Sequence, residues 1–397
     1  DSRFLPVAEK TAATMGMAMT EKQGGSDVRA NQTQATYLAD SPWGEAYHLT
    51  GHKWFCSAPM SDAFLTLAYV EDKLTCFFVP RFLPDGGRNR FFIQRLKDKL
   101  GNRSNASAEI EYNNTWACLV GEVGRGVPTI MDMVQHTRLD AAGASAGMMR
   151  QLVVQASHHA HHRQAFGATL SRQPLMQNVL ADMTLESEAA TALTMRTAQA
   201  FDTAKETPDT TNNAYARLLA AVGKFWVTKR LPNLAYEAME CLGGNGYVED
   251  SPLPYFYREA PVNSIWEGSG NVICLDVLRT LERAPQALDV YFAEVAPFAE
   301  SSPFVAEALG EIKALLKHLQ ETPAEAPFHA RKLVEKMALT LQACLLLTHA
   351  PSPVAEAFCR SRLAGAWGIS YGTLPADVDF HAILARSHIK EGSDTNG

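Results

Sequence analysis

The stretch Asn263-Ser264-Ile265-Trp266-Glu267-Gly268-Ser269-Gly270-Asn271 sets one carboxylate, Glu267, between an aromatic and a run of small residues. Glycine has no side chain to hold a ligand off the backbone, so the small residues allow close approach. Trp266 makes the surroundings partly dry, which raises a carboxyl pKa and suits the group to proton abstraction. Val272, Leu275, Leu278 and Leu281 follow in an apolar helical pattern, so the segment predicts a loop entering a helix. Backbone N–H groups at such a helix start are free to bind an anion or an oxyanion. The same residues also fit a capped helix with a solvated Glu near its N-terminus, where the helix dipole favours it.

The rest of the chain sets the bounds. At 397 residues it is too long for one ordinary core and predicts two or three domains. With 46% hydrophobic residues, 20% charged and a net charge of −7, it has the composition of a soluble globular protein. That mild acidity gives no global reason to expect nucleic acid or anionic membrane as partner. No apolar run approaches the ~20 residues of a membrane span; Met337–Leu347 is interrupted by Thr340 and Gln342. The seven cysteines are scattered and never C-x-x-C, which suggests neither a disulfide framework nor a zinc site. A reducing cytoplasm fits, and no signal peptide is visible. The chain opens at Asp1 rather than Met, as a fragment or processed product would.

Residues 119–284 have the period of long helices. The first, from Gly126, turns Leu139, Ala142, Ala146, Met149, Val153 and Ala156 inward. The second, Pro174 to Phe201, turns in Leu175, Val179, Met183, Ala190 and Leu193. The third, Ala214 to Leu242, carries Pro232 inside it and stops at Gly243-Gly244. The fourth begins at Gly270. Together they predict a four-helix bundle. Before them, residues 15–118 hold short β-rich runs with polar punctuation, among them Tyr47–Leu49, Phe64–Val70, Leu74–Val79, Phe91–Gln94 and Ile110–Tyr112. These predict a small antiparallel β-barrel or sandwich, with a hairpin turning at Glu71-Asp72-Lys73. Residues 1–14 look helical. Residues 285–397 form a further helical region, cut by Pro303, Pro323, Pro327, Pro351 and Pro353, with a frayed end from Lys390. The fold class expected is α+β: β-domain, bundle, extra C-terminal helices.

Four other stretches carry chemistry. Met15–Asp27 offers backbone and hydroxyl donors around Gly24-Gly25, suited to a phosphate or a polar heterocycle, or simply to a turn. It is not G-x-G-x-x-G and no βαβ pattern follows it, which argues against a Rossmann dinucleotide site. Gly51–Ser57 puts aromatics beside a hydroxyl, fit to flank a planar ring or to form a buried strand. Arg163-Gln164-Ala165-Phe166-Gly167 offers an arginine fork for a pyrophosphate. Cys241–Tyr247 is a glycine-rich loop. His158 and His162 share a helical face, but no third ligand stands at a known spacing, so no metal is expected.

In this order, Met19–Asp27, Arg163–Gly167, Leu242–Tyr247 and Trp266–Gly268 resemble the acyl-CoA dehydrogenase family of flavoproteins. Leu96–Ser107 and Glu267-Gly268-Ser269-Gly270-Asn271 resemble its AidB-like, alkylation-response branch more closely. The resemblance implies an N-terminal helical domain of which residues 1–14 are the tail, then the β-domain and the bundle, with FAD extended between those two. Met17, Met19, Thr20, Gly25 and Ser26 would meet the isoalloxazine and pyrophosphate side. Phe55 would take the place of a flavin-flanking Trp, beside Cys56, and Ser57 that of a Thr near flavin N5. Arg163, Phe166 and Gln173 would hold the adenosine diphosphate half, with Gly243 and Gly244 approaching it from a neighbouring chain. Trp266, Gly268, Ser269, Gly270 and Asn271 complete the implied cofactor set.

The family's chemistry gives Glu267 the role of base on the α-carbon of an acyl-CoA. Some members carry the base on another helix, just before an Arg; here Gln135-His136-Thr137-Arg138 has no carboxylate there. A homo-oligomer, a tetramer in the family, is implied. The alternative the branch implies is a flavin-containing DNA-binding, protective protein with little turnover. Composition does not favour DNA, because residues 286–397 hold nine Lys and Arg against thirteen Asp and Glu.

Overall fold

The structure, a computed structural model, describes residues 1–387. It forms two compact units, Asp1–Val134 and one running on from Gln135.

The first unit is a seven-stranded sheet of β1 (Met15–Ala18), β2 (Gln34–Ser41), β3 (Gly44–Ser57), β4 (Ala63–Val70), β5 (Lys73–Pro80), β6 (Phe92–Leu96) and β7 (Ser107–Val120). β2 pairs with β3, β3 with β7, β7 with β5 and β5 with β4, all antiparallel. β4 then meets β2 in parallel at Tyr69, so the path of pairing returns to its start. β1 lies parallel to β4, and β6 pairs with β7. Inward alternation gathers Tyr47, Leu49, Phe64, Phe77, Ile110 and Tyr112 into one core. The β4–β5 hairpin turns where the sequence expected, with Glu71 at φ +55°.

One reading is corrected here, and the strand set is extended. Residues 1–14 are not helical beyond a single 3-10 turn, Val7–Glu9. Instead Asp62 anchors the segment, accepting from Lys10 Nζ at 2.7 Å and from the Thr14 N–H at 2.9 Å. β1 and β2 were not foreseen. Phe92–Leu96 forms a strand, but every residue of it is exposed.

The second unit is helical. α1 (Gly126–His162) crosses the division between units and is followed by a small hairpin, β8 (Gln164–Ala165) and β9 (Ala168–Thr169). Then come α2 (Pro174–Glu206), α3 (Thr210–Cys241), α4 (Gly244–Tyr247), α5 (Leu253–Glu259) and α6 (Gly270–Arg283). The C-terminal helices are α7 (Gln286–Val295), α8 (Pro303–Glu321), α9 (Ala326–His349), α10 (Ser352–Phe358) and α11 (Phe380–Leu384). Local chemistry sets the ends. Pro174 occupies the first position of α2, and Asp209 caps α3 through the Asn212 N–H at 2.7 Å. The chain leaves α3 through Gly243 at φ +59°. The expected open loop there is in fact the single helical turn α4. One continuous core runs from α1 to α11, so the C-terminal helices share it with α2 and α3. The frayed end expected from Lys390 lies outside the described residues.

Two helix faces differ from expectation. Leu175 is 82% exposed at the start of α2, ahead of the packed part of the helix. In α6 the buried residues are Ile273, Cys274, Asp276, Val277 and Thr280, while Leu275 is exposed and Val272, Leu278 and Leu281 are half-buried. The face is turned by Asp276, which is drawn inward by Arg138 at 2.7 Å and Arg217 at 2.6 Å. Arg138 correspondingly is buried on α1, and its neighbour Leu139 only half so.

Candidate active site

Glu267 sits in the turn between a 3-10 segment, Ala260–Ser264, and α6, with φ at +57°. A non-glycine residue in that left-handed region is uncommon and needs its surroundings to hold it. They do so on both sides. Lys224 of α3 is 1% exposed, and its Nζ donates to the carbonyls of Trp266 at 2.8 Å and Gly268 at 2.5 Å. Arg138 Nε donates to the Glu267 carbonyl at 3.2 Å. Three consecutive carbonyls are thus fixed by two cations. Gly268, at φ +97°, lies in the left-handed region that favours glycine, and a Cβ there would press on the Ile273 side chain at 3.0 Å.

The carboxylate itself receives the Thr137 hydroxyl at 2.5 Å. α1 brings Thr137, next to Arg138, against Glu267. Burial raises the Glu267 pKa above the usual carboxylate value; the Thr137 hydrogen bond, Lys224 and Arg138 oppose this without cancelling it. Burial lowers Lys224 to about 8, helped by Arg138 and resisted by Glu267. Trp266 Nε1 is buried with no hydrogen-bond partner, as is Gln135 Nε2. Ser269 precedes α6 without a side-chain cap, and the Asn271 Oδ1 accepts from Arg331 Nε at 2.9 Å.

The second unit also brings Arg163, Gln173 and Leu242–Gly244 into view. Arg163 and Phe166 are exposed, Phe166 almost wholly, at the tip of the β8–β9 hairpin. Gln173 Nε2 donates to the Ala165 carbonyl at 2.9 Å and ties the hairpin to α2. A surface depression is lined by Gln155, His158, His159, His162, Arg163 and Leu242, so Arg163 and the residue before Gly243 share it within one chain. Gly243 and Gly244 are exposed beside it. The His158 and His162 rings meet at a tilt of 39°, with centroids 4.3 Å apart.

In the first unit, the Trp54 N–H donates to the Thr20 carbonyl at 2.7 Å, which joins the Met15–Asp27 and Gly51–Ser57 stretches. Behind that joint lies a pair the sequence did not announce. Glu21 and Lys53 are both fully buried and 2.8 Å apart. Glu21 also accepts from the Gln32 N–H at 2.6 Å and the Thr33 hydroxyl at 2.6 Å, and Lys53 donates to the Leu67 carbonyl at 2.8 Å. Thr20, Met17 and Met19 are half-buried, and Gly25 and Ser26 are exposed. A Cβ on Gly25 would lie 2.3 Å from Thr20 Oγ1, so this glycine lets the loop close on Thr20. Phe55 is 49% exposed and Ser57 half-buried. Lys97 Nζ stands 3.5 Å over the Trp54 ring and 4.8 Å from that of Phe55. The Cys56 side chain faces the core, where burial pushes its thiol up to about 12; any ligand contact there falls to its backbone.

Comparison with known proteins places the chain in a family. The middle-domain model of acyl-CoA dehydrogenases matches residues 16–115, and the C-terminal-domain model matches residues 124–282. The chain belongs to the acyl-CoA dehydrogenase family. Within it, the chain is 44% identical over 377 residues to AidB of Escherichia coli (strain K12), covering 93% of this chain and 66% of AidB. It is 32% identical over 365 residues to acyl-CoA dehydrogenase family member 11 of Caenorhabditis elegans, covering 85% of this chain and 59% of that protein. The crystal structure of C. elegans ACDH-11 in complex with C11-CoA superposes with a TM-score of 0.81 at 29% identity, over 92% of this chain and 67% of that one. The chain therefore spans roughly two thirds of the length of these relatives. No helix among the described residues is long and apolar enough to cross a membrane.

Proposed function

We propose that the protein of which this chain is part is an FAD-dependent acyl-CoA dehydrogenase, with Glu267 as the base that takes the α-proton of an acyl-CoA thioester. The observation that carries this is the Glu267 carboxylate: half-buried, raised in pKa, held by Thr137, and with no direct ion pair among the described residues. The acyl-CoA assignment is supported by the C11-CoA complex of the C. elegans relative.

The residues present fit a flavin. Trp266 Nε1 is an unpartnered buried donor, Phe55 presents an open ring face, and Ser26, Gly243 and Gly244 offer exposed donors and open backbone. In the first unit Met17, Met19, Thr20, Gly25, Ser26, Phe55, Ser57 and the Cys56 backbone are assigned to the cofactor. In the second, Arg163, Phe166, Gln173, Gly243, Gly244, Trp266, Gly268, Ser269, Gly270 and Asn271 are. When bound, FAD supplies a hydride acceptor at N5. The protein's own part is positional and electrostatic. Lys224 and Arg138 fix the Glu267 turn, Thr137 aims the carboxylate, and the half-buried Trp266 keeps water from it. A free N–H at the start of α6 can polarise the thioester carbonyl.

We read the closed pairing path of the first unit as the family's small barrel, and α1, α2, α3 and α6 as its four-helix bundle. The division at 1–14, 15–118, 119–284 and 285–397 is retained, as are a cytoplasmic location and a homotetramer. The second reading, a flavin-containing protein of the alkylation response that binds DNA, is favoured by the likeness to AidB. One experiment separates the two. FAD-loaded protein is titrated with short, branched and long acyl-CoAs while the flavin absorbance is followed, and DNA binding is measured at two salt concentrations. Bleaching by any acyl-CoA supports the dehydrogenase. No bleaching, with DNA binding that weakens steeply with salt, supports the second reading.

A further inference from the structure

The turn between α8 and α9 gathers donors that the dehydrogenase reading does not use. His318 lies in the last turn of α8, Glu325 ends a 3-10 turn over Pro323–Glu325, and His329 follows in the first turns of α9. His318 Nε2 is 2.8 Å from Glu325 Oε2, and His329 Nε2 is 3.7 Å from the same oxygen. The three ligand atoms all lie within 4.8 Å of one another. Bonds of about 2.0–2.1 Å in a tetrahedral site put donors about 3.3 Å apart, and the two separations from Glu325, 2.8 and 3.7 Å, bracket that value. All three side chains reach solvent, which leaves an entry path and an open fourth position.

The frame is fixed before any ion arrives. The Thr322 N–H and hydroxyl both bond to the His318 carbonyl, at 2.8 and 2.7 Å, and hold the end of α8. Pro323 and Pro327 fix φ on either side of Glu325. Glu325 and His329 stand four residues apart on one helical face. Both ion pairs of Glu325 among the described residues are with these two imidazoles, so no lysine or arginine competes for the carboxylate there.

We propose that His318, Glu325 and His329 bind a divalent transition metal of the zinc class, bridging α8 and α9. Two imidazoles and one carboxylate suit a borderline ion, whereas calcium and magnesium favour all-oxygen shells. The pair that stands out in the sequence is the poorer site. His162 Nδ1 is bound to the His158 carbonyl at 2.8 Å, and among the described residues no third donor joins His158 and His162. Spacing in the sequence does not reveal the α8–α9 cluster, because its side chains come from two helices and the turn between them.

The test uses the whole chain, without a histidine tag, after chelator treatment. Cobalt(II) should give one equivalent of visible d–d absorbance, displaced by zinc. Zinc titrated by calorimetry should fill one site and raise the melting temperature, since it binds the folded state. Outer-shell losses alone cost about 10–100-fold in metal affinity, so His318→Ala and His329→Ala should each weaken zinc by no less than roughly tenfold. Glu325→Gln, which keeps the shape of the turn, should weaken it as well. His158→Ala/His162→Ala should not. Circular dichroism confirms that each variant is folded. Zinc affinity unchanged in His318→Ala/His329→Ala, or absence of a stoichiometric site in the parent, overturns the proposal and leaves a plain His–Glu hydrogen bond on a solvated turn.

Discussion

Each unit sets one glutamate beside one buried lysine, and the two arrangements point to opposite uses. In the β unit Lys53 donates directly to Glu21, and the gaps are filled by Gln32, Thr33 and Leu67. Burial alone would raise the Glu21 pKa, but Lys53 and these hydrogen bonds bring it below the usual carboxylate value. In the helical unit Lys224 donates to the carbonyls on either side of Glu267, not to its carboxylate, and burial wins. A carboxylate whose charge is matched is held as a structural pin. One left above its usual pKa, with a hydroxyl as its hydrogen-bond donor, is poised to exchange a proton. The same two residue types differ most in where the lysine's donors go.

The largest effect expected is on chemistry. Glu267→Gln keeps size and hydrogen bonding but removes the base, so flavin reduction by a competent acyl-CoA should slow by ~10²–10⁴. FAD should stay bound, and the melting temperature should hold or rise. Unchanged reduction kinetics would reduce Glu267 to a structural part, and the contrast with Glu21 would collapse.

Next comes stability of the β unit. Lys53→Met leaves Glu21 buried without its cation, which costs roughly 3–5 kcal/mol when one partner of a buried pair is removed. Denaturant unfolding of the parent and the variant measures this directly. The pH dependence must also differ in sign. The stability Glu21 contributes is present above its unfolded pKa and is lost as pH falls through its lower folded value. Glu267, with its folded pKa raised, contributes below its unfolded pKa and loses that contribution as pH rises through the folded one. Comparing Glu21→Gln and Glu267→Gln across the acid range should therefore give opposite slopes against the parent.

How much of this is visible in the residues depends on how far apart the partners lie. Trp266-Glu267-Gly268 and the glycine-rich stretches announce themselves because aromatics, glycines and a carboxylate sit together in sequence. The long helices are legible from period, and two of their ends from Pro174 and Gly243; the third helix starts one turn earlier than its apolar pattern, at Thr210 behind the Asp209 cap. Glu21 and Lys53 both stand inside quoted motifs, yet nothing local says that they pair. That follows from strand placement, seen in the Trp54-to-Thr20 hydrogen bond. Lys224 likewise looks like one more polar residue on α3 until α6 and its preceding turn pack above it. β2 was missed because most of its residues are exposed, which blurs the alternation.

Lys224→Met sharpens the contrast at smaller scale. It leaves the Trp266 and Gly268 carbonyls without their donor, a loss of about 1–3 kcal/mol. It also removes a charge that holds the Glu267 pKa down, so the apparent pKa of the base in the pH profile of flavin reduction should rise. Lys224→Arg should recover part of both. A pKa that stays put, with only stability changed, would mean that Lys224 merely fills space.

The smallest effect tests the face of α6, where the apolar pattern misled. Leu275 belongs to the pattern but is exposed, whereas Ile273 is fully buried. Burying Asp276 against Arg138 fixes the helix about its axis, because an unpaired buried carboxylate would cost more than exposing one leucine. Ile273→Ala should therefore lose about 2–5 kcal/mol, as cavity-forming core changes do. Leu275→Gln should stay within about 0.5 kcal/mol of the parent, as surface changes do. The comparison is made by denaturant midpoints at constant m, so that a change in the unfolded state is not mistaken for one in packing. A large loss for Leu275→Gln with little for Ile273→Ala would turn α6 by one residue. Asp276 would then leave the core, and the Arg138 that holds the Glu267 carbonyl would lose its anchor.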